Sequence, residues 1–188
     1  MVARLFNGLP MTNHFCRVLL VLCAVVLSAC ASTGPTIAPR SVASIPPPQL
    51  TQDSILAAIN KARRDNGGHK PLAYNSALEA ACRTQLKLMV EKDQLAHDLG
   101  IRLRDRVTAA GYVGAVGENL AGGQKSIEQA IEGWLNSPGH RATLLNDKFV
   151  EFGLAVAPVP AEKNSRYGIY WCMIAGGPYE AWRTVVKL

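Results

Sequence analysis

The sequence predicts an α+β fold, a three-layer α-β-α sandwich, on three observations. Helical periodicity dominates the first half of the folded region, strand-like segments gather late, and a helix-like segment falls between strands. A late segment that is apolar on both faces needs a cover on both, and helices are the available cover.

Periodicity begins at Thr51, where Ile55, Leu56 and Ile59 form an apolar stripe and Asn66-Gly67-Gly68 supplies the stop. Ser76-Ala77-Leu78-Glu79 has the spacing of a capping box and opens a second helix, with Leu78, Cys82, Leu86 and Met89 on one face. A shorter third helix is expected over residues 99–110, stopped by Gly111. Residues 112–119 read as a strand-like run interrupted by Gly114 and Gly117, with Glu118 in a glycine-flanked turn. Ser126-Ile127-Glu128-Gln129 fits another capping box, followed by Ala130, Ile131, Trp134 and Leu135 at amphipathic spacing. That helix stops at Ser137-Pro138, which is itself a good N-cap and first turn, so a further helix is expected to about Asn146. Phe152, Leu154 and Val156 alternate with Gly153, Ala155 and Ala157, a half-buried strand with little bulk on its second face. Residues 169–174 are apolar on both faces, as a central strand requires, and residues 179–188 are expected to form an edge strand or a loose tail.

The 188 residues suit one domain plus a targeting segment. Residues 18–27 are apolar throughout, follow Arg4 and Arg17, and fall far short of the roughly 20 residues that span a bilayer. A basic start followed by a short apolar run reads as a secretory signal, whether translation begins at Met1 or Met11. It ends in Leu27-Ser28-Ala29-Cys30, which resembles a bacterial lipobox, so residues 1–29 are expected to be removed and Cys30 lipidated. Two or three acyl chains would hold the protein on a membrane durably. Ala31 is not the aspartate that often retains lipoproteins at an inner membrane, so in a cell with two membranes the outer one is expected. Residues 30–50 carry Pro35, Pro39, Pro46, Pro47 and Pro48 and form a spacer, leaving residues 51–188 as the folded domain.

Loss of the signal takes Arg4 and Arg17, lowering the basic count from 20 to 18 against 14 acidic residues, a net charge near +4. Arg102, Arg104 and Arg106 make the densest basic cluster, but alternate helical positions diverge, so they read as a solvated helix and not as a nucleic-acid surface. A monomer is expected. Of five cysteines, Cys82 and Cys172 remain in the domain. In an exported protein such a pair favours a disulfide, which would close a loop of about 90 residues; the alternative is two buried thiols acting as small apolar groups.

Beyond the signal there are three histidines, His69, His97 and His140. His69 lies in a loop composition and is expected to be exposed. His140 falls in the first turn after Pro138, where the positive helix end favours a neutral ring that accepts a proton or ligates a metal. No H-E-x-x-H and no cysteine ligand pair is present, so spacing alone does not bring His97, Glu118 and His140 together.

The run Gly117-Glu118-Asn119-Leu120-Ala121, then Trp134 through Arg141, then Phe149 through Gly153, resembles the CAP superfamily, also called SCP-like proteins, in its compact bacterial branch. The resemblance extends over residues 52–176. It implies an α-β-α sandwich, secretion, and a cleft with two histidines and acidic residues that in some members binds zinc or another divalent ion. By motif position His97 and His140 match the two family histidines and Glu118 the family glutamate, with Asn136 and Ser137 lining the cleft. Many members carry a second glutamate where this chain has Ser137. Two imidazoles and one carboxylate can still form a three-ligand site with an open position, but the obvious general base is gone, and Glu128, Glu132 or a water chain would have to replace it. The reading drawn from the sequence is therefore a lipid-anchored envelope protein whose His/Glu-lined cleft binds a lipid, glycan or peptide. The runner-up is a metal-assisted hydrolase of envelope peptide or glycan, and the third is a scaffold or virulence-type interaction module.

Overall fold

The computed structural model describes residues 46 and 48–183. The signal, Cys30, most of the spacer and the last five residues lie outside the described residues. The described elements are α1 (Gln52–Asp65), β1 (Ala73–Tyr74), α2 (Ser76–Lys92), α3 (Leu103–Ala109), β2 (Ala115–Gly122), α4 (Ile127–Leu135), α5 (Pro138–Leu144), β3 (Glu151–Pro158) and β4 (Ile169–Gly177), with short 3-10 turns at Ala161–Lys163 and Tyr179–Trp182.

The strands form one sheet in the order β1-β3-β4-β2. β1 runs parallel to β3, and β4 lies antiparallel to both β3 and β2. Every residue of β4 is buried, so the expected central strand is there. The sheet separates two cores. Ile59, Trp134, Leu144, Phe152, Leu154, Trp171 and Met173 pack on the α1/α4/α5 side, whereas Leu78, Cys82, Leu86, Val107, Leu120, Cys172 and Ile174 pack on the α2/α3 side. These are the three layers the sequence predicts.

Several local expectations change in the folded chain. Thr51 caps α1 in a reciprocal box with Ser54. The cap of α2 is Asn75, whose Oδ1 accepts from Ala77 N (2.9 Å) and Leu78 N (3.1 Å), so Ser76 is already inside the helix. The third helix starts later than expected, at Leu103. Ser126 caps α4, but Gln129 reaches back to Lys125 N instead of closing a box. The fifth helix begins at Pro138 as expected and ends two residues early, at Leu144. Gly117-Glu118-Asn119 lies within β2 and not in a turn, because β2 pairs continuously with β4 from Ala115 to Gly122. Strand β1 has no signal in the sequence: two residues carry no period, and only their pairing with Glu151 and Phe152 defines them. Residues 179–182 form a 3-10 turn, not an edge strand.

The second face of β3 has a different cause from the one its composition suggests. Gly153 and Ala155 are small because α2 lies directly on them, not because that face is bare. A Cβ on Gly153 would collide with the backbone of Leu78 and Glu79. Gly153→Ala is therefore expected to cost about 3 kcal/mol in urea unfolding, by forcing helix and sheet apart. Gly139→Ala, where an added Cβ meets nothing within 4 Å, should leave stability almost unchanged.

Candidate functional site

Alternation along β2 sends Glu118 and Leu120 toward the α2/α3 core, while Asn119 and Ala121 turn toward the α4/α5 side. β2 is the outer strand of the sheet, so both layers meet at its edge and the site is built there. The Glu118 side chain is 2% exposed. Its Oε1 accepts from Arg106 Nη1 at 2.8 Å, and its Oε2 pairs with His97 Nδ1 at 2.8 Å.

Arg106 comes from α3 and its side chain is fully buried. It also donates to the carbonyls of Ile101 (3.3 Å) and His97 (3.4 Å). The loop carrying His97 is held from α2 as well, where Gln85 Nε2 donates to the carbonyls of Ala96 (2.5 Å) and His97 (3.4 Å). The His97 ring itself is 59% exposed. Its Nδ1 faces the carboxylate and its Nε2 is left for a partner outside.

His140 arrives from the other layer on α5. Gly117 permits the approach, since a Cβ there would stand 2.9 Å from Thr143 and 3.1 Å from Phe149. Asn119 Nδ2 donates to the His140 carbonyl at 2.9 Å. The far end of α5 is gripped by buried Arg63, which donates to Leu144 O (2.6 Å) and Asn146 O (3.3 Å) and satisfies carbonyls that the helix leaves open. The His97 and His140 ring centroids end 6.3 Å apart, tilted by 43°. The three side chains singled out in the sequence therefore do converge.

Their electrostatics differ. The hydrogen bond to Glu118 raises the His97 pKa above its ordinary value, against a smaller opposing effect of burial. Partial burial lowers that of His140, and the neighbouring His97 lowers it further. His97 is thus biased toward imidazolium and His140 toward neutral imidazole.

A three-ligand metal site does not fit this arrangement. Both Glu118 oxygens are engaged, and among the described residues no group of three or more His, Cys, Asp or Glu is placed to hold an ion. The same two bonds remove Glu118 as a free general base.

The other candidates stand apart. Asn136 caps the C-terminus of α4 and lines a separate groove of about 460 Å³ between α1 and α4, together with Glu128 and Glu132. The two carboxylates considered as substitute bases therefore belong to that groove. Ser137 precedes α5 and makes no side-chain capping bond. His69 is only 24% exposed and pairs with Asp147 at 3.0 Å, so it is not a free loop residue. A groove of about 750 Å³ between α2 and the end of β3 shares no residue with His97, Glu118 or His140.

Arg106 is the site residue that sequence reasoning missed. As the densest basic cluster, Arg102, Arg104 and Arg106 suggested solvent, and for the first two that holds. The missed signal is that Leu103, Arg106, Val107 and Ala110 share one helical face, which places Arg106 inward.

The described residues thus form a sandwich with two helical layers, with two imidazoles and a buried glutamate gathered where the layers meet. Residues 56–174 match the CAP family, described as the Cysteine-rich secretory protein family, and the chain belongs to it. It is 29% identical over 130 residues to YkwD, an uncharacterized protein of Bacillus subtilis (strain 168), covering 66% of this chain and 50% of that one. The chain thus spans about half the length of that relative. Its fold is similar to an extracellular SCP-domain protein of Bacillus anthracis (TM-score 0.54, 23% identity, 69% of this chain and 45% of that chain). It is also similar to an outer surface protein of Borrelia burgdorferi (TM-score 0.56, 20% identity, 67% and 91%).

Replacing Arg106 with Met strands a buried carboxylate and is expected to cost about 3–5 kcal/mol in chemical denaturation at pH 7. Adding Glu118→Gln to that variant should recover part of the loss. In NMR titration His97 should titrate above and His140 below the ordinary histidine value, with Glu118→Gln bringing His97 down. Because the folded pKa of His97 is raised, its stabilising share is full below about pH 6.5 and lost as pH rises through the folded value. His140 has the opposite sign, its share being lost as pH falls from about 6.5 through its lowered value.

Proposed function

We propose that this protein is a lipid-anchored CAP-domain binding protein of the cell envelope, which takes up a polar or anionic group of an envelope lipid, glycan or peptide between His97 and His140. The observation that carries the reading is the pair of rings 6.3 Å apart, one of them bonded to a carboxylate that Arg106 also satisfies. Held that way, the rings offer one group biased toward a charged donor and one biased toward a neutral acceptor, which suits recognition. Glu118, tied to Arg106 and His97, is not free to serve turnover as base or nucleophile.

The lipobox-like sequence at Cys30 and the spacer over residues 30–50 support a domain held off a membrane on the far side from the cytoplasm. The printed descriptions of two structural neighbours, one extracellular and one an outer surface protein, favour the same location. Among the described residues no helix is long and apolar enough to cross a membrane. A membrane contact through Cys30 and no nucleic-acid partner complete the proposal, with the domain working as a monomer.

A three-ligand site for zinc or another divalent ion would require Glu118 to give up one of its partners. Calorimetric titration of zinc into the full chain in detergent is expected to show no tight one-to-one uptake. Tight uptake abolished by His140→Ala would overturn this and reinstate the metal-assisted hydrolase. For ligand binding, a soluble peptidoglycan digest and vesicles of anionic phospholipid are the probes. One of them should shift the His97 and His140 ring resonances of the full chain, and the response should be lost in His140→Ala. Unmoved resonances with both would sink the binding role and leave the scaffold.

A further inference from the structure

Behind the site, the closest approach of helix to sheet sets two sulfurs against each other. Gly153 lets α2 lie flush on β3, and one turn along the helix Cys82 faces the sheet. Its Sγ lies 3.6 Å from the Gly153 carbonyl and 2.7 Å from Sγ of Cys172 in β4. Cys172 Sγ is in turn 3.7 Å from Glu118 Oε1. Both residues are fully buried and both are thiols in the structure. α2 also carries Gln85, which holds the His97 carbonyl, so the helix touched by this sulfur pair is the one that positions the exposed imidazole.

We propose that Cys82 and Cys172 are a disulfide cross-link site, closed during folding by exchange with the disulfide of an external oxidant, that pins α2 to β4 beneath Glu118. One cysteine, as thiolate, attacks the oxidant disulfide and forms a mixed disulfide, releasing one oxidant sulfur. The second then displaces the other oxidant sulfur. Two S–H bonds are lost and one S–S bond is made, and two electrons and two protons pass to the oxidant, which leaves as thiols.

The timing follows from burial. No oxidant reaches a sulfur with no exposed surface, and burial pushes the Cys172 thiol pKa well up, away from the reactive thiolate. The bond therefore forms before α2 settles on the sheet, and once the domain is folded its redox state is sealed. The consequence for the site is mechanical: a cross-linked α2 cannot lift from β4, so the loop held by Gln85 stays in place. This inference does not depend on what the site binds.

The test refolds the full chain from denaturant in detergent, with either oxidised or reduced glutathione. Oxidative refolding should give the tryptic peptides of Cys82 and Cys172 joined in mass spectrometry, a Tm higher by about 10 °C than the reduced form, and α2 amide exchange slowed at least about tenfold. Chain refolded under reduction and then given oxidised glutathione without denaturant should not acquire the link. The Cys82→Ala/Cys172→Ala variant should show a Tm indifferent to the redox buffer. Separate Cys82 and Cys172 peptides after oxidative refolding would overturn the proposal. So would a link that leaves Tm and α2 exchange unchanged, a Tm of the double variant that still follows the buffer, or a link that forms readily in the folded chain.

Discussion

A guanidinium and a carboxylate, both almost wholly withdrawn from water, meet at 2.8 Å where α3 backs onto β2, and the site is arranged around that contact. Burying either charge alone would cost several kcal/mol, so the two elements are obliged to arrive together. Arg106 then spends its remaining donors on the carbonyls of Ile101 and His97. The loop between α2 and α3 is thereby shaped by the same side chain that neutralises Glu118. With one oxygen of Glu118 held on Arg106, the other is left aimed at His97.

The second imidazole depends on a different set of constraints. α5 has two turns and no side-chain cap at its start, so it is fixed from outside itself. Arg63 holds its last carbonyl, Asn119 holds the carbonyl of His140, and Gly117 clears the space it occupies. The successive residues Gly117, Glu118 and Asn119 thus serve three ends through one feature of a strand, that neighbouring side chains point to opposite faces. Glu118 organises the layer below, and its two neighbours organise the layer above. The result is a carboxylate satisfied by Arg106 and His97, with the His140 ring 6.3 Å from that of His97.

Much of the fold was legible in the chain because the signals were local. The stripe of Ile55 and Ile59, the helical start at Thr51, the Ser126 start and the Ser137-Pro138 break each concern residues within a turn or two. The all-apolar run of β4 likewise announced a strand covered twice. Misreadings occurred where a distant partner decided the outcome. Asn75 displaces Ser76 as the cap while its own amide is also used by Glu151 across the sheet. β1 exists only through its pairing with β3. The small residues of β3 reflect a helix lying against them, and composition alone cannot tell an occupied face from an empty one.

What the sequence determined by itself was the layered architecture, through local periodicity, and, through motifs that resemble a known family, the family and the two histidines and glutamate as candidates. Tertiary structure decided how those groups are used. Arg106 is neutralised inside the molecule and occupies the carboxylate that a metal site would have required. Asn136 and the acidic residues of α4 face a different groove. Each of these outcomes turns on which groups are brought within a few ångströms by packing, and pairings between remote segments leave no period, motif or spacing along the chain from which to read them.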